Sequence, residues 1–403
     1  MKKLFFFAAL AAAVLTSCVK THDTHKYTSP SDAVSFGVYS GKAATKAVST
    51  TTFGDITSTE LLQASAGFGV FGFYSDGTAN HYNVADPSSY ETAVSGASAS
   101  NFVPNFMYNQ LVEYTTAWEY TPIKYWPNEY NTTDAIGADV DKLSFCAYAP
   151  YVATASVGDE GITAFSGNTA SGDPTVTFKV PAKAEEQIDL LWSDAATRNL
   201  IKPTTGSATT FTFKHALSNI SVRPVVVVDG TTMKTSGGDA VAASTTVKLN
   251  ELTITGQFSS QGKLNLISGK WNVTASSEQT VTYHPATALD ITSLVDKTTT
   301  DAYVTAHPVN GGTDPLPEFM FIPTGINDYV ITIDYDFETA DNKLNDSKVV
   351  IHNVIHKTLT NLVLEQGRKI KLYVGLGMNS VVIDATAGDW TEAESTIWLP
   401  VNL

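Results

Sequence analysis

Basic charge and cysteine are both scarce in this chain. Its 403 residues carry 25 Lys and Arg against 40 Asp and Glu, and only 16% of the residues are charged. A formal net charge of −15 repels a phosphate backbone. No run of basic residues exceeds two, so nothing offsets that repulsion locally, and nucleic-acid binding is excluded. Cysteine occurs twice, at Cys18 and Cys146, too few for a disulfide scaffold. Helix-forming Glu and Lys are sparse, and no stretch reaches the roughly twenty apolar residues of a membrane helix. Thr, Ser, Ala and Gly take their place, beside abundant Val, Tyr and Phe. That mixture suits pleated, half-buried surfaces joined by tight turns. At roughly 100–200 residues per domain the length predicts two domains, each large enough to bury a core without metals or disulfides.

The first eighteen residues address the chain and do not fold with it. Lys2 and Lys3 precede an apolar run from Leu4 to Leu15 of signal-peptide length, too short to span a bilayer. Leu15-Thr16-Ser17-Cys18 then has the form of a bacterial lipobox, with Cys18 as the acylated residue. The expected product is exported and tethered by lipid. With Cys18 so used, Cys146 has no partner for an intramolecular disulfide. It lies in the strand-like run Leu143 to Tyr148 and reads as a small buried apolar side chain.

Residues 19–33 are polar and read as a tether. Val34, Phe36 and Val38 then alternate with Ser35, Gly37 and Tyr39, the pattern of one short strand. Small polar residues follow from Gly41 to Thr50, with Lys42 and Lys46 among them, a loop of the kind where proteolytic nicking concentrates. From Gly67 the strand pattern returns, with Phe68, Val70 and Tyr74 on one face and Phe71 and Phe73 on the other. A short helix is expected over 58–65. Further strand-like runs fall at 143–149, 175–180, 209–213, 219–228, 247–254, 262–267, 279–283, 319–322, 329–337, 349–355, 369–376 and 381–383. Spaced this way without intervening helical periods, they predict an all-β protein of antiparallel sandwiches. A stretch lacking any apolar period, 196–210, sets the expected boundary between domains at 47–200 and 201–403, after a signal peptide at 1–18 and a pro-segment at 19–46.

A search for catalytic or metal chemistry finds no G-x-S-x-G, H-E-x-x-H, P-loop or dinucleotide fingerprint. His352 and His356 would suit a metal on a helix, but Val349, Val350, Ile351, Val354 and Ile355 favour a strand, which sets them roughly 13 Å apart. Asp334, Asp336 and Glu338 share a strand face, spread at nearly 7 Å intervals with no loop to gather them around calcium. Glu185, Glu186 and Asp189 are candidate acid and base residues, in a segment that reads as a sheet edge. Trp118, Tyr120, Tyr125, Trp126 and Tyr130 have two readings: packing in the core and between domains, or a platform on which sugars stack, centred on Trp118 and Trp126. The residues imply no cofactor, metal or enzyme activity.

Several stretches together resemble the fimbrillin family, the type V pilins of Gram-negative bacteria. They are Val34-Ser35-Phe36-Gly37 followed by Thr45-Lys46-Ala47, then Gly67 to Tyr74, Tyr125-Trp126-Pro127, Leu143 to Pro150, Gln187 to Leu191, and Phe211 to Ile220. The resemblance implies two tandem transthyretin-like β-sandwich domains and lipoprotein export to the outer membrane. It also implies removal of the first strand by a trypsin-like surface protease and assembly with other pilin subunits into a cell-surface fimbrium serving adhesion. Cleavage is expected after Lys46, or else Lys42, where the family usually has Arg. Val34, Phe36 and Val38 are then the leaving-strand anchors. The entering donor is expected to be the tail, with Ile397, Leu399, Val401 and Leu403 pointing one way. The alternative is that the tail completes its own sheet, which suits a tip or anchor subunit. A surface lipoprotein that binds glycans is the alternative function. No adhesion receptor is indicated.

Overall fold

The computed structural model describes residues 33–38, 67–75, 103–127, 142–153, 160–170, 172–193, 197–203, 207–226, 245–291, 316–340, 344, 347–376, 381–389 and 395–397. In chain order the strands are β1 (Phe36–Val38), β2 (Phe68–Ser75), β3 (Met107–Tyr114), β4 (Trp118–Glu119), β5 (Lys142–Ala149), β6 (Gly161–Phe165), β7 (Thr175–Lys179), β8 (Leu191–Ser193), β9 (Thr209–Phe211), β10 (Phe213–His215) and β11 (Ser218–Val226). They continue as β12 (Thr245–Phe258), β13 (Gln261–Asn265), β14 (Trp271–Val273), β15 (Ser277–Tyr283), β16 (Leu289–Asp290), β17 (Phe319–Phe321), β18 (Thr324–Ala340), β19 (Lys348–Leu364), β20 (Arg368–Leu376), β21 (Val381–Asp389) and β22 (Ser395–Ile397). A 3-10 turn at Ala184–Glu186 lies between β7 and β8. The protein is all-β.

A six-stranded sheet ordered β10-β8-β5-β2-β3-β4 carries the amino-terminal half. Period-two alternation explains how it is buried on both sides. Phe68, Val70, Phe145 and Ala147 face one core, which also takes in Val34, Phe36, Trp126 and Phe211. Phe71, Phe73, Cys146 and Tyr148 face the other, where Ile162, Val176 and Phe178 meet them from β6 and β7. Phe165 of β6 stands 5.1 Å from the Tyr148 ring and 6.3 Å from that of Phe71. Gly69 is dictated by this packing. A Cβ there would run into the Tyr148 ring, whose hydroxyl donates to Asn109 Oδ1 at 2.7 Å.

In the carboxy-terminal half, the sheet β17-β11-β20-β21-β22 packs on β15-β12-β18-β19. Phe258 and Phe321 meet edge to face at 4.7 Å between them. Along β18 the residues Tyr329, Ile331, Ile333, Tyr335 and Phe337 are all buried. Asp334, Asp336 and Glu338, which alternate with them, are the outward face.

Among the described strands, β1 with β9 and β11 with β20 pair parallel and the others antiparallel; an isolated parallel bridge also joins Lys183 to Thr282. Hydrogen-bonded pairs also join chain on either side of the 196–210 stretch. β9 and β10 pair with β1 and β8, and β13 pairs with β7.

Candidate subunit-interface site

The first strand is short, yet its apolar residues are deeply set. Val34 is 2% exposed and Phe36 4%, while Val38 is half-buried at the rim. The segment threads between two stretches of chain. On one side Phe36, Gly37 and Val38 run parallel to Thr209, Thr210 and Phe211, and the Thr209 N–H donates to the Ser35 carbonyl at 2.7 Å. On the other, Ala33 bridges Tyr125, the Val34 N–H donates to the Lys124 carbonyl at 2.9 Å, and the Tyr120 hydroxyl donates to the Val34 carbonyl at 2.7 Å. Burial raises the Tyr120 pKa above its ordinary value, which keeps the hydroxyl a donor at any physiological pH.

The groove beneath the strand is aromatic. The Phe36 ring lies 5.3 Å from Tyr120, 5.2 Å from Phe145 in an edge contact, and 5.5 Å from Phe211 in a stacked one. Burying Val34 and Phe36 is worth roughly 3–6 kcal/mol before ordering costs. Few backbone bonds add to that, because only three residues form the strand proper. The segment lies in an apolar slot as a guest strand does in β-augmentation, with register set by side chains entering it alternately.

The aromatic residues 118–126 are placed around this slot. Trp126 is 6% exposed and meets Phe145 edge-on at 6.3 Å. Trp118 packs on Phe68 at 5.0 Å and Tyr114 at 5.3 Å. A sugar platform needs free ring faces, and a buried Trp126 offers none. Tyr125 is exposed.

The remaining candidates fall elsewhere. His352 and His356 are on β19, where His352 Nδ1 lies 2.9 Å from Asp336 and His356 Nδ1 lies 2.9 Å from the Thr332 hydroxyl. The carboxylates of β18 are each matched from a neighbouring strand: Asp334 by Asn250, and Glu338 by Lys248 and Lys348. Among the described residues no group of three His, Cys, Asp or Glu is arranged to hold a metal ion. Cys146 is fully buried, and burial pushes its thiol up to about 12, far from a nucleophile's range. Glu185 and Glu186 are exposed, Glu186 on Lys183 at 2.7 Å.

Asp189 is buried with His215, Oδ2 to Nδ1 2.7 Å. This pair joins two of the stretches singled out in the sequence, Gln187 to Leu191 and Phe211 to Ile220. Nothing in their spacing announces it. Gln187 also anchors its segment, accepting from the Met320 N–H at 2.6 Å and donating to the Met320 carbonyl at 3.1 Å. Sequence reading gave these polar residues no structural role, since their contacts span 26 residues in one case and 133 in the other.

Cys18, Lys42, Lys46, Tyr130, Leu399, Val401, Leu403 and the expected 58–65 helix lie outside the described residues. Ile397 is the last residue of β22, which pairs with β21 opposite Ala385.

Comparison with known proteins agrees with this architecture. The fimbrillin-like family profile matches residues 45–390. The fimbrium subunit Fim1C of Phocaeicola vulgatus is 25% identical over 370 residues, covering 85% of this chain and 86% of that relative. The crystal structure of a fimbrial protein from Bacteroides vulgatus shares the fold with a TM-score of 0.54 at 23% identity, over 89% of this chain and 99% of that one. With the profile running through most of its length, the chain belongs to the fimbrillin-like family.

Proposed function

We infer that the protein is a structural subunit of a cell-surface fimbrium that serves adhesion, built by protease-triggered strand exchange between tandem β-sandwich subunits. The observation that carries this reading is the seating of Val34 and Phe36. They are buried as a core is, yet the segment that bears them is three residues of strand laid parallel to β9. Lys42 and Lys46 follow directly, and a trypsin-like cut at Lys46, with Lys42 as the second site, would leave β1 held by its side chains and a few hydrogen bonds to Tyr120, Lys124 and Thr209. Its departure would expose the Tyr120, Phe145 and Phe211 rings together with unpaired backbone groups of β9. An apolar slot beside an open edge recruits another strand.

In this reading Cys18 carries the lipid that holds the precursor at the outer membrane before assembly. The donor is the tail of a neighbouring subunit, with Ile397, Leu399, Val401 and Leu403 as its alternating anchors. Because Ile397 pairs with Ala385 within its own sheet, donation requires β22 to peel from β21. Deleting residues 391–403 tests this: the cleaved variant is expected to remain monomeric while the cleaved parent forms heat-labile ladders on gels. Equal elongation by both would remove the tail from the mechanism. Cleavage that yields no polymer from either would remove strand exchange itself.

A further inference from the structure

Strand β19 ends its sheet in the order β15-β12-β18-β19, and among the described residues no strand pairs with its outer edge. Natural edge strands are protected from one another by bulges, prolines, inward charges or shortness. β19 has none of these over its first two-thirds, and its lysines, Lys348 and Lys357, which also protect an edge, lie near the ends of that stretch. It spans Lys348–Leu364 without a proline. Its register against β18 is unbroken from Ala340↔Lys348 to Tyr329↔Leu359, and the irregularities come only beyond that.

The side chains of this stretch are unusual for a solvent edge. Val349 is 39% exposed, Val350 47%, Ile351 46% and Val354 46%. Register places Ile351 opposite buried Phe337 and Val349 opposite Thr339, on the core side, while Val350 and Val354 lie on the side of Glu338 and Asp334. Both faces therefore carry exposed apolar side chains, Val349 and Ile351 on one and Val350 and Val354, flanking His352, on the other, as on a strand with room for a neighbour.

Charge narrows the choice of neighbour. The chain carries −15 overall, so copies repel one another at most of their surfaces. β19 contains no Asp or Glu, and its charged or titratable residues are Lys348, His352, His356 and Lys357. The carboxylates alongside it on β18, Asp334, Asp336 and Glu338, are matched by Asn250, His352, Lys248 and Lys348, so a second acidic copy meets little uncompensated negative charge there. The residue pattern is also self-complementary. In an antiparallel pair related by a two-fold axis at His352, same-face neighbours are Val350 with Val354 of the other copy, and Val349 with Ile355. Lys348 then meets His356 and not another lysine. Centring the axis on Ile351 or Asn353 instead sets Val350 against a histidine.

We propose that two copies of this chain join antiparallel through the free edge of β19, about a two-fold axis at His352, continuing one sheet across both. The contact is isologous and closed. It uses a different strand from the slot that β1 occupies, so it links copies side by side and owes nothing to proteolysis.

The test uses the uncleaved full chain carrying Cys18→Ser, which leaves buried Cys146 as its one remaining cysteine. Sedimentation velocity over a range of concentrations should show a reversible species of twice the 43.1 kDa monomer. V350K/V354K places like charges opposite each other and should weaken that dimer about a hundredfold or more, while at concentrations where the parent is monomeric its thermal midpoint should match the parent's, because both sites are exposed. His352→Cys in the same background should give a disulfide-linked dimer on mild oxidation, since facing residues of an antiparallel pair lie within disulfide reach. Were the double variant unable to fold, the cysteine variant decides alone. A monomer at every concentration, a dimer undiminished in V350K/V354K, or failure of the cysteine variant to cross-link would overturn the proposal. A monomer would leave the edge to a foreign strand. None of these results bears on fimbrial assembly, because the protein is never cleaved.

Discussion

Phe36→Ala probes how independently the first strand is held. The ring is 4% exposed and touches Tyr120, Phe145 and Phe211. Removing a buried Phe typically costs 3–5 kcal/mol. About 3 kcal/mol is expected here, since the slot is lined by rings that can settle into part of the space. If β1 opens by itself, that loss falls on its own opening equilibrium, a factor of roughly a hundred. The Thr209 amide reports it, because its bond runs to the Ser35 carbonyl. In hydrogen exchange of the uncleaved protein, Thr209 should exchange about a hundredfold faster in the variant. Amides at the centre of β18, such as Ile331, should not change. Equal acceleration at both sites would mean that β1 opens only when the protein unfolds, and the guest-segment reading would fail.

Three further predictions concern the rest of the molecule. Glu318 is buried between Arg223 at 2.7 Å and Lys369 at 2.8 Å. Glu318→Gln leaves those cations uncompensated and should cost about 3–5 kcal/mol in urea unfolding. Burial works to raise the Glu318 carboxyl, but Arg223 and Lys369 overcome it and hold the carboxyl below its ordinary value. A carboxyl depressed in the folded state stabilises above its unfolded pKa, so the parent should lose stability as pH falls below about 4.3 through the folded value, and the Gln variant should lose less. His352 is raised by its bond to Asp336 and by the charge of Asp334. Its imidazole should titrate above 6.5 by NMR, and Asp336→Asn should bring the midpoint down; a midpoint at or below 6.5 in the parent would contradict the pairing. Gly69→Ala drives a methyl into the Tyr148 ring and should destabilise by about 1–3 kcal/mol, read as a lowered thermal midpoint.

Strands whose side chains alternate were legible in the sequence, because period two is a local signal. Phe68, Val70, Phe71 and Phe73 announced both faces of β2, and Lys142–Ala149 and Thr175–Lys179 fall within a residue of where the pattern put them. Other strands were silent. Met107–Tyr114 carries Asn109 at a positive φ of 44° and a register shift where it meets β2, so its apolar residues do not alternate. Gly161–Phe165 and Trp271–Val273 are short edge strands, with one face to read or none. The parallel pairings could not be read at all, since alternation is blind to strand direction. The same holds for the site. Val34, Phe36 and Val38 were visible as a strand, but that Tyr120 and Thr209 clasp it from either side depends on contacts 86 residues away in one case. His215 with Asp189 and Glu318 with Arg223 are likewise products of folding, invisible until distant strands meet.

Whether β1 must leave for subunits to join can be asked with one disulfide. Gly37 faces Thr210 in the parallel pair of β1 and β9, and a Cβ built at Gly37 lies 3.6 Å from the Thr210 hydroxyl, within reach of a bridge. In Gly37→Cys/Thr210→Cys the strand is tied to its slot when oxidised and free when reduced. After cleavage at Lys46, the oxidised protein is expected to stay monomeric and to polymerise once dithiothreitol is added. Polymer forming at the same rate with the bridge closed would contradict the account.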